Sequence, residues 1–174
     1  MTQAAADVII VVFVCTAAWW DATADRIPNA LTVTGLAAAL ILRAPLGVDQ
    51  LLQGLGGLGL AFGISLVLYA LRAIGGGDVK LLAGVGAFLG STEIMGALGL
   101  IAVLGAAYAL LSVSRRGLLP LLLFNTFDLM KSWLSLGRAG PIRKPESPGE
   151  FTIPYGVPIA VGTLFWWFGE GVRL

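Results

Sequence analysis

Two aspartates lie at the ends of strongly apolar segments, and they are the residues of this chain best suited to chemistry. Asp21 follows Trp19 and Trp20 at the end of the first apolar segment, and Asp78 follows the glycines 75–77 at the start of a later one. An ionised carboxylate is costly beside a membrane interior, so a carboxylate in that position usually has a function. Two carboxylates that can meet between helices are the minimum that an aspartic hydrolase needs.

Peptide hydrolysis by such a pair requires neither a metal nor a cofactor. One carboxylate takes a proton from water, while the protonated one polarises the scissile carbonyl and later protonates the leaving amine. The chain contains no histidine and a single cysteine, Cys15. This composition excludes Ser-His and Cys-His nucleophilic schemes and zinc sites of the usual His/Cys type. We therefore expect no metal and no cofactor.

The residues around the two aspartates also have structural interpretations. Gly75, Gly76 and Gly77 would let an extended substrate backbone approach Asp78, but they could equally form a plain turn with Asp78 as the N-cap of the next helix. We expect Lys80 to extend toward lipid headgroups rather than to take part in catalysis. Pro28 and Asn29, which follow the first aspartate, are typical of a helix start.

Composition predicts an all-α, polytopic membrane protein. Apolar residues make up 57% of the 174 residues, charged residues only 12%, and the apolar ones lie in long runs. Lipid-exposed backbone must satisfy its own hydrogen bonds, which favours helices. We expect a single transmembrane domain, residues 1–174, with about six spans. The predicted segments are 4–20, 30–42, 51–74, 78–90, 94–113 and 153–168.

Three features refine this prediction. The fourth segment has about a dozen residues and covers about 18 Å, against about 30 Å of hydrocarbon, so Asp78 should lie below the bilayer surface or the membrane should thin around it. Residues 114–152 are predicted to be a cytoplasmic or interfacial loop, in which 118–136 form an interfacial helix or, alternatively, a seventh span. The GxxxG pairs Gly59–Gly63 and Gly86–Gly90 predict close helix contacts.

The distribution of Lys and Arg predicts the orientation. Loops after the odd-numbered segments hold nine basic residues and the other side holds two, Arg43 and Arg173. Basic residues are enriched in cytoplasmic loops, so both termini should lie outside, and Asp21 and Asp78 should lie on the cytoplasmic side. The net charge of +1 gives no reason to expect a nucleic acid as a partner. The nine basic residues in the loops after the odd-numbered segments are Arg26, Arg72, Lys80, Arg115, Arg116, Lys131, Arg138, Arg143 and Lys144.

At these residues the chain resembles the prepilin peptidases, the membrane aspartic proteases that process type IV prepilins, and their archaeal preflagellin relatives. In that family the first catalytic aspartate lies seven positions before the proline of an I/L-P-N/D motif, as Asp21 lies before Pro28. The second lies in a G-x-G-D-x-K motif, which Gly75 to Lys80 match. A third family-like patch, Ile153-Pro154-Tyr155-Gly156, opens the last helix, and the three patches occur in the family order.

The resemblance implies a GxGD aspartic endopeptidase of the inner membrane with Asp21 and Asp78 as catalytic residues. Its substrate would be a prepilin-like protein whose apolar N-terminal helix stays in the bilayer while a short basic leader is removed after a glycine, at the cytoplasmic face. Pilus or secretion assembly machinery would be a further partner. Larger bacterial members carry an N-terminal region with paired Cys-x-x-Cys motifs linked to N-methylation. This chain resembles the short, peptidase-only form of tight-adherence (Flp) pilus systems, so we expect no methyltransferase activity.

Two alternatives stay open on the sequence. One is an intramembrane protease of presenilin or signal-peptide-peptidase type, which also uses Gly-x-Gly-Asp but has its first aspartate in a Tyr-Asp pair deep within a helix. Here Asp21 follows Trp20 at a helix end. The other is a small, non-enzymatic transporter or channel that uses Asp21 and Asp78 as cation or proton ligands. Ion conduction in liposomes would favour that second alternative.

Overall fold

A computed structural model describes residues 2–71, 73–115, 154–172 and 174, and every regular element in that part of the chain is a helix. The predicted all-α class is confirmed. A short 3-10 helix, Ala44–Leu46, joins the second helix to the third. The α-helices are α1 (Thr2–Ala24), α2 (Asn29–Arg43), α3 (Val48–Ala70), α4 (Gly76–Arg115) and α5 (Gly156–Gly169).

The helices α1 to α4 lie in stretches long and apolar enough to cross a membrane, and α5 is a shorter apolar helix. The architecture is therefore that of a polytopic membrane protein, while the number of spans and the side of the termini stay predictions. The predicted interfacial helix 118–136 lies outside the described residues, as does all of the predicted loop 114–152 except its first two positions, which continue α4.

The helix α4 is broken at Gly90, where φ is 81° and ψ is 172°. A straight helix of its 40 residues would be about 60 Å long, twice the hydrocarbon thickness. The break divides α4 into residues 76–89, which we call the central helix, and residues 91–115. These two parts correspond to the predicted fourth and fifth segments, including the short length of the fourth.

The central helix lies in the core of the bundle. All residues from 81 to 89 are buried, in contrast to the half-exposed faces of α1 and α3. Phe88 contacts Phe13 of α1 with ring centroids 6.0 Å apart and Trp167 of α5 edge-on at 6.4 Å. A helix surrounded in this way needs no polar face, which explains its nearly uniform apolar sequence.

Glycines bring α3 and the central helix into backbone contact. The GxxxG pair Gly86–Gly90 predicted a close helix contact here. A Cβ atom on Gly86 would overlap the carbonyl oxygen of Gly57, so the two helices could not approach this closely with a side chain there. The prediction for the other pair is wrong within the described structure, because a Cβ atom on Gly59 or Gly63 would meet open space.

One compact unit contains α1 to α3, α4 as far as Gly105, and α5, while the described residues 106–115 belong to a second unit. The single domain stays a prediction. In the first unit, the Trp167 indole N–H donates to the Asp7 carboxylate at 2.8 Å, and the Gln3 amide donates to the Val172 carbonyl at 3.1 Å. These bonds hold one end of α5 against the start of α1. The other ends of the two helices carry Gly156 and Asp21.

Candidate active site

Asp21 lies in the last turn of α1 and is buried, with 8% of its surface exposed. The main-chain N–H of Gly156, the first residue of α5, donates to Oδ2 of Asp21 at 2.6 Å. The first N–H groups of a helix have no intrahelical acceptor, so they readily bind a carboxylate. A Cβ atom on residue 156 would lie 2.9 Å from both Cβ and Oδ2 of Asp21, so only glycine allows this approach.

Asp78 is the third residue of α4 and is equally buried, with 7% exposed. Its Oδ2 accepts a hydrogen bond from the main-chain N–H of Gly75 at 3.0 Å. This is the back-bond of a capping box, in which the third helical residue binds the N–H of the residue before the helix. The alternative of Asp78 as the N-cap is therefore wrong, because the helix begins two residues earlier, at Gly76.

The structure brings the two predicted catalytic residues together. The carboxyl groups of Asp21 and Asp78 are close enough for their charges to repel one another. Asp25 also acts on the charge of Asp21, but it is exposed and its φ of 50° marks the left-handed turn that ends α1. Two buried carboxyl groups whose charges interact do not both ionise easily, and this favours one shared proton between them.

The segment between α1 and α2 contacts the turn that carries Asp78. Ile27 is buried, and a Cβ atom on Gly77 would lie 3.3 Å from its Cβ. Pro28 precedes α2 with φ of −61°, the value that its ring imposes. The Lys80 ammonium donates to Oδ1 of Asn29 at 2.7 Å. The exposed Lys80, which the sequence led us to expect at the headgroups, thus binds the motif that follows Asp21.

Gly75 and Gly76 tolerate a side chain better than Gly156 does. A Cβ atom on Gly75 would lie 3.3 Å from Oδ2 of Asp78, and one on Gly76 would make ordinary contact with the Tyr69 ring at 3.6 Å. Packing therefore does not require a glycine at residue 76. The predicted role of these glycines in substrate approach stays a prediction.

Tyr155 lies between Pro154 and the start of α5, next to the Gly156 that binds Asp21. Its hydroxyl lies against Gly105 of α4, where any Cβ atom would overlap it. The phenol is half-buried there. Tyr155, Gly156 and Gly105 thus tie α5 and α4 to the two aspartates.

The site also contains groups that the sequence did not reveal. The Gly156 N–H is a main-chain donor, and side-chain patterns carry no information about it; the third motif patch was its only signal. Gly105 had no signal. Within the described ranges, no group of three or more His, Cys, Asp or Glu side chains could hold a metal ion. The chemistry available from the described groups is that of two carboxyl groups, one phenol and the surrounding amides.

Comparison with known proteins gives a family match that covers two of the three motifs. The sequence model of the type IV leader peptidase family matches residues 8–110, which is more than half of the chain and includes Asp21, Pro28, Asn29 and the run from Gly75 to Lys80. Residues 154–156 lie beyond the matched range. No curated protein and no solved structure matches the chain.

Proposed function

The chain belongs to the type IV leader peptidase family, and on that premise we propose that it is an aspartic endopeptidase whose catalytic residues are Asp21 and Asp78. The observation that carries the proposal is that these two buried carboxyl groups lie within range of each other's charge. Each is more than nine-tenths buried, they come from separate helices, and each is held by the main-chain N–H of a glycine.

The proposed reaction uses the pair as acid and base. The ionised member takes a proton from a water molecule, and the resulting oxygen attacks the scissile carbonyl carbon. The protonated member donates a hydrogen bond to the carbonyl oxygen and then supplies the proton for the leaving amine. Hydrogen bonds from the main-chain N–H groups of Gly156 and Gly75 fix one oxygen of each carboxyl group. The other oxygen of each remains available for water and substrate.

The proposed substrate is a prepilin-like protein. Its short basic leader would be cleaved after a glycine at the cytoplasmic face of the inner membrane, while its apolar helix remains in the bilayer. The excess of Lys and Arg in the loops on the aspartate side supports this orientation. Burial of Arg43 strengthens the charge argument, because a buried guanidinium is not a loop charge and only Arg173 then remains on the other side.

Substitution of each aspartate tests the proposal. We expect Asp21→Asn and Asp78→Asn each to abolish cleavage of a prepilin by the purified, reconstituted protein, a loss of at least about 1,000-fold. Asparagine keeps an oxygen that can accept the glycine N–H, so both variants should stay folded. Cleavage is followed by the mobility shift of the trimmed pilin on a gel.

Asp25→Asn is the matched control for the Asp21 variant, because Asp25 is a nearby acid that is exposed in a turn. It should retain most of the activity. Turnover like that of the wild type in either Asp21→Asn or Asp78→Asn would refute the aspartic mechanism. An inactive Asp25→Asn together with an active Asp21→Asn would show that the first catalytic residue is Asp25 and not Asp21.

Labelling tests the side of the membrane. In a Cys15→Ala background, Thr23→Cys or Gly76→Cys should react with a membrane-impermeant maleimide only in inverted vesicles or lysed cells. Gly47→Cys, in the exposed turn between α2 and α3, should react in cells whose outer layer has been opened. The reverse pattern would put both aspartates on the wrong face for leader removal.

A further inference from the structure

Arg43, the last residue of α2, is a buried cation far from the aspartates along the central helix. Only 2% of its surface is exposed. Its Nε donates to the Ala87 carbonyl at 2.9 Å and Nη2 to the Phe88 carbonyl at 2.7 Å, while Nη1 donates to Oε1 of Gln50 at 3.0 Å. Burial of a charge is costly unless its hydrogen bonds are made. The position of this side chain is therefore set by those oxygen atoms.

The two carbonyl groups need a donor because of the break at Gly90. The last carbonyls of a helix have no intrahelical partner, and the central helix ends inside the bundle, where it is buried. A guanidinium there satisfies them and also fits the partial negative charge at a helix C-terminus. Gly54 of α3 leaves room for it, since a Cβ atom there would lie 2.6 Å from Cδ of Arg43.

The helix α2 thereby contacts the central helix at both of its ends. Its first residue, Asn29, accepts from Lys80, and its last residue, Arg43, donates to Ala87 and Phe88. The first contact is exposed and weak, whereas the second is buried. A cavity of about 300 Å³ borders Arg43 near Gln53 and Glu93, so the side chain is held by its hydrogen bonds and by the close contact with Gly54 rather than by packing on every side.

We propose that Arg43 is a positioning residue for Asp78. By binding the end of the central helix, Arg43 sets the register of that helix and hence the approach of Asp78 to Asp21. Ala87 lies nine residues after Asp78, about 14 Å along the helix axis. A hydrogen-bonded helix transmits an axial shift at one end to the other end, so release of the carbonyl groups would displace Asp78. Displacement of a catalytic group by about 1 Å can lower turnover by about 100-fold. The proposal rests on the proposed function only in taking Asp78 as catalytic.

A disulfide reports the register without any measurement of activity. A Cβ atom on Gly77 would lie 3.3 Å from Cβ of Ile27, slightly closer than the roughly 3.5–4.5 Å of a disulfide, so after a small shift the pair Ile27→Cys and Gly77→Cys should oxidise in a Cys15→Ala chain. We expect Arg43→Met to lower the disulfide yield at least threefold. In the chain with native Ile27 and Gly77, the same substitution should lower kcat at least tenfold and leave KM within about twofold, and Arg43→Lys should restore part of kcat.

Gly54→Ala and Gly59→Ala provide a matched pair on α3. Gly54→Ala displaces Arg43 without removing it, whereas a methyl group at Gly59 meets open space. Only Gly54→Ala should lower the disulfide yield and kcat, and this pair, with Arg43→Lys, decides the matter if Arg43→Met does not fold.

Three results would overturn the proposal: full disulfide yield in both Arg43→Met and Gly54→Ala, an equal loss in Gly59→Ala, or an unchanged kcat despite a lowered yield. Cleavage by Asp78→Asn would instead refute the proposed function. The disulfide yields would then still show whether Arg43 sets the helix register.

Discussion

The two ends of the central helix hold opposite charges by opposite means. At its start, Asp78 and the neighbouring Asp21 bind the N–H groups of glycines. At its end, Arg43 donates to the carbonyl groups of Ala87 and Phe88. Each arrangement matches the helix dipole, which favours negative charge at the N-terminus and positive charge at the C-terminus. Both charges are therefore located where a short buried helix can accommodate them.

The two ends differ in how many of their polar atoms remain without a hydrogen-bond partner in the described part of the bundle. Arg43 directs Nε and both terminal nitrogens to oxygen atoms, so its end of the helix is suited to holding structure. Each aspartate uses one oxygen for a glycine N–H and has the other available, and the two carboxyl groups repel one another. The comparison teaches that stability should depend mainly on the Arg43 end. Turnover should depend directly on the aspartate end and on Arg43 only through the position of Asp78.

Removal of Arg43 gives the largest expected effect on stability. Arg43→Met leaves two buried carbonyl groups without their donor, so we expect the free energy of unfolding to fall by about 3 kcal/mol. Asp78→Asn should change it by less than about 1 kcal/mol, because the amide oxygen still accepts from Gly75. Denaturation of both variants in the same detergent measures the difference. Equal losses would remove the contrast between the two ends.

Gly156→Ala should be the strongest glycine variant at the aspartate end. A methyl group there would lie 2.9 Å from Asp21, so the carboxylate must move or α5 must retreat. We expect kcat to fall about 100-fold, equivalent to about 2.7 kcal/mol of activation free energy. Initial rates at saturating prepilin measure it. Gly99→Ala, at a glycine with open space around it, is the control, and equal rates in the two variants would contradict the assigned role of the Gly156 N–H.

Gly90→Ala tests the break itself. At a φ of 81° an alanine is strained, and its Cβ would lie 3.2 Å from Nη2 of Arg43. We expect a loss of about 2 kcal/mol in the free energy of unfolding. Gly47→Ala has similar backbone strain at φ of 116° but no neighbour within 4 Å, so it should lose less. The difference between the two melting temperatures isolates the contact with Arg43, and a larger loss in Gly47→Ala would deny it.

Lys80→Met should have the smallest effect of the series. The contact of Lys80 with Asn29 is exposed, and exposed polar contacts contribute well under about 1 kcal/mol. We expect kcat to change by no more than about threefold in the prepilin assay. Asn29→Ala should behave in the same way, and the double variant should be no worse than either one. A loss beyond tenfold in Lys80→Met alone would instead place the ammonium in the chemistry.

The sequence predicted the parts of this fold that depend on hydropathy and on side-chain type. The helical segments, the short fourth one and the two aspartates at helix ends follow from apolar runs and from the cost of a carboxylate near lipid. The contact of Gly86 with Gly57 follows from glycine spacing. The open space at Gly59 does not, because spacing alone cannot say which face of a helix has a neighbour.

The rest depended on main-chain groups, which a sequence does not display. Arg43 counts as a loop charge when basic residues are tallied by position, yet it is buried, because the break at Gly90 frees carbonyl groups that only the folded chain reveals. The Gly156 N–H is hidden in the same way. The hydrogen bond between Lys80 and Asn29 joins two motifs that lie far apart in the sequence.

The glycines before Asp78 have a consequence for motion. Gly76 and Gly77 form the first turn of α4, and glycine is about 1 kcal/mol less favourable than alanine in a helix, so this turn should fray more easily than the buried turns that follow. The bond from the Gly75 N–H to Asp78 closes the turn, and such a bond is stronger to a charged carboxylate than to a neutral carboxyl. Opening of this turn is thus coupled to the proton that Asp78 gains or loses, and amide exchange at residues 76–78 would follow each change of charge.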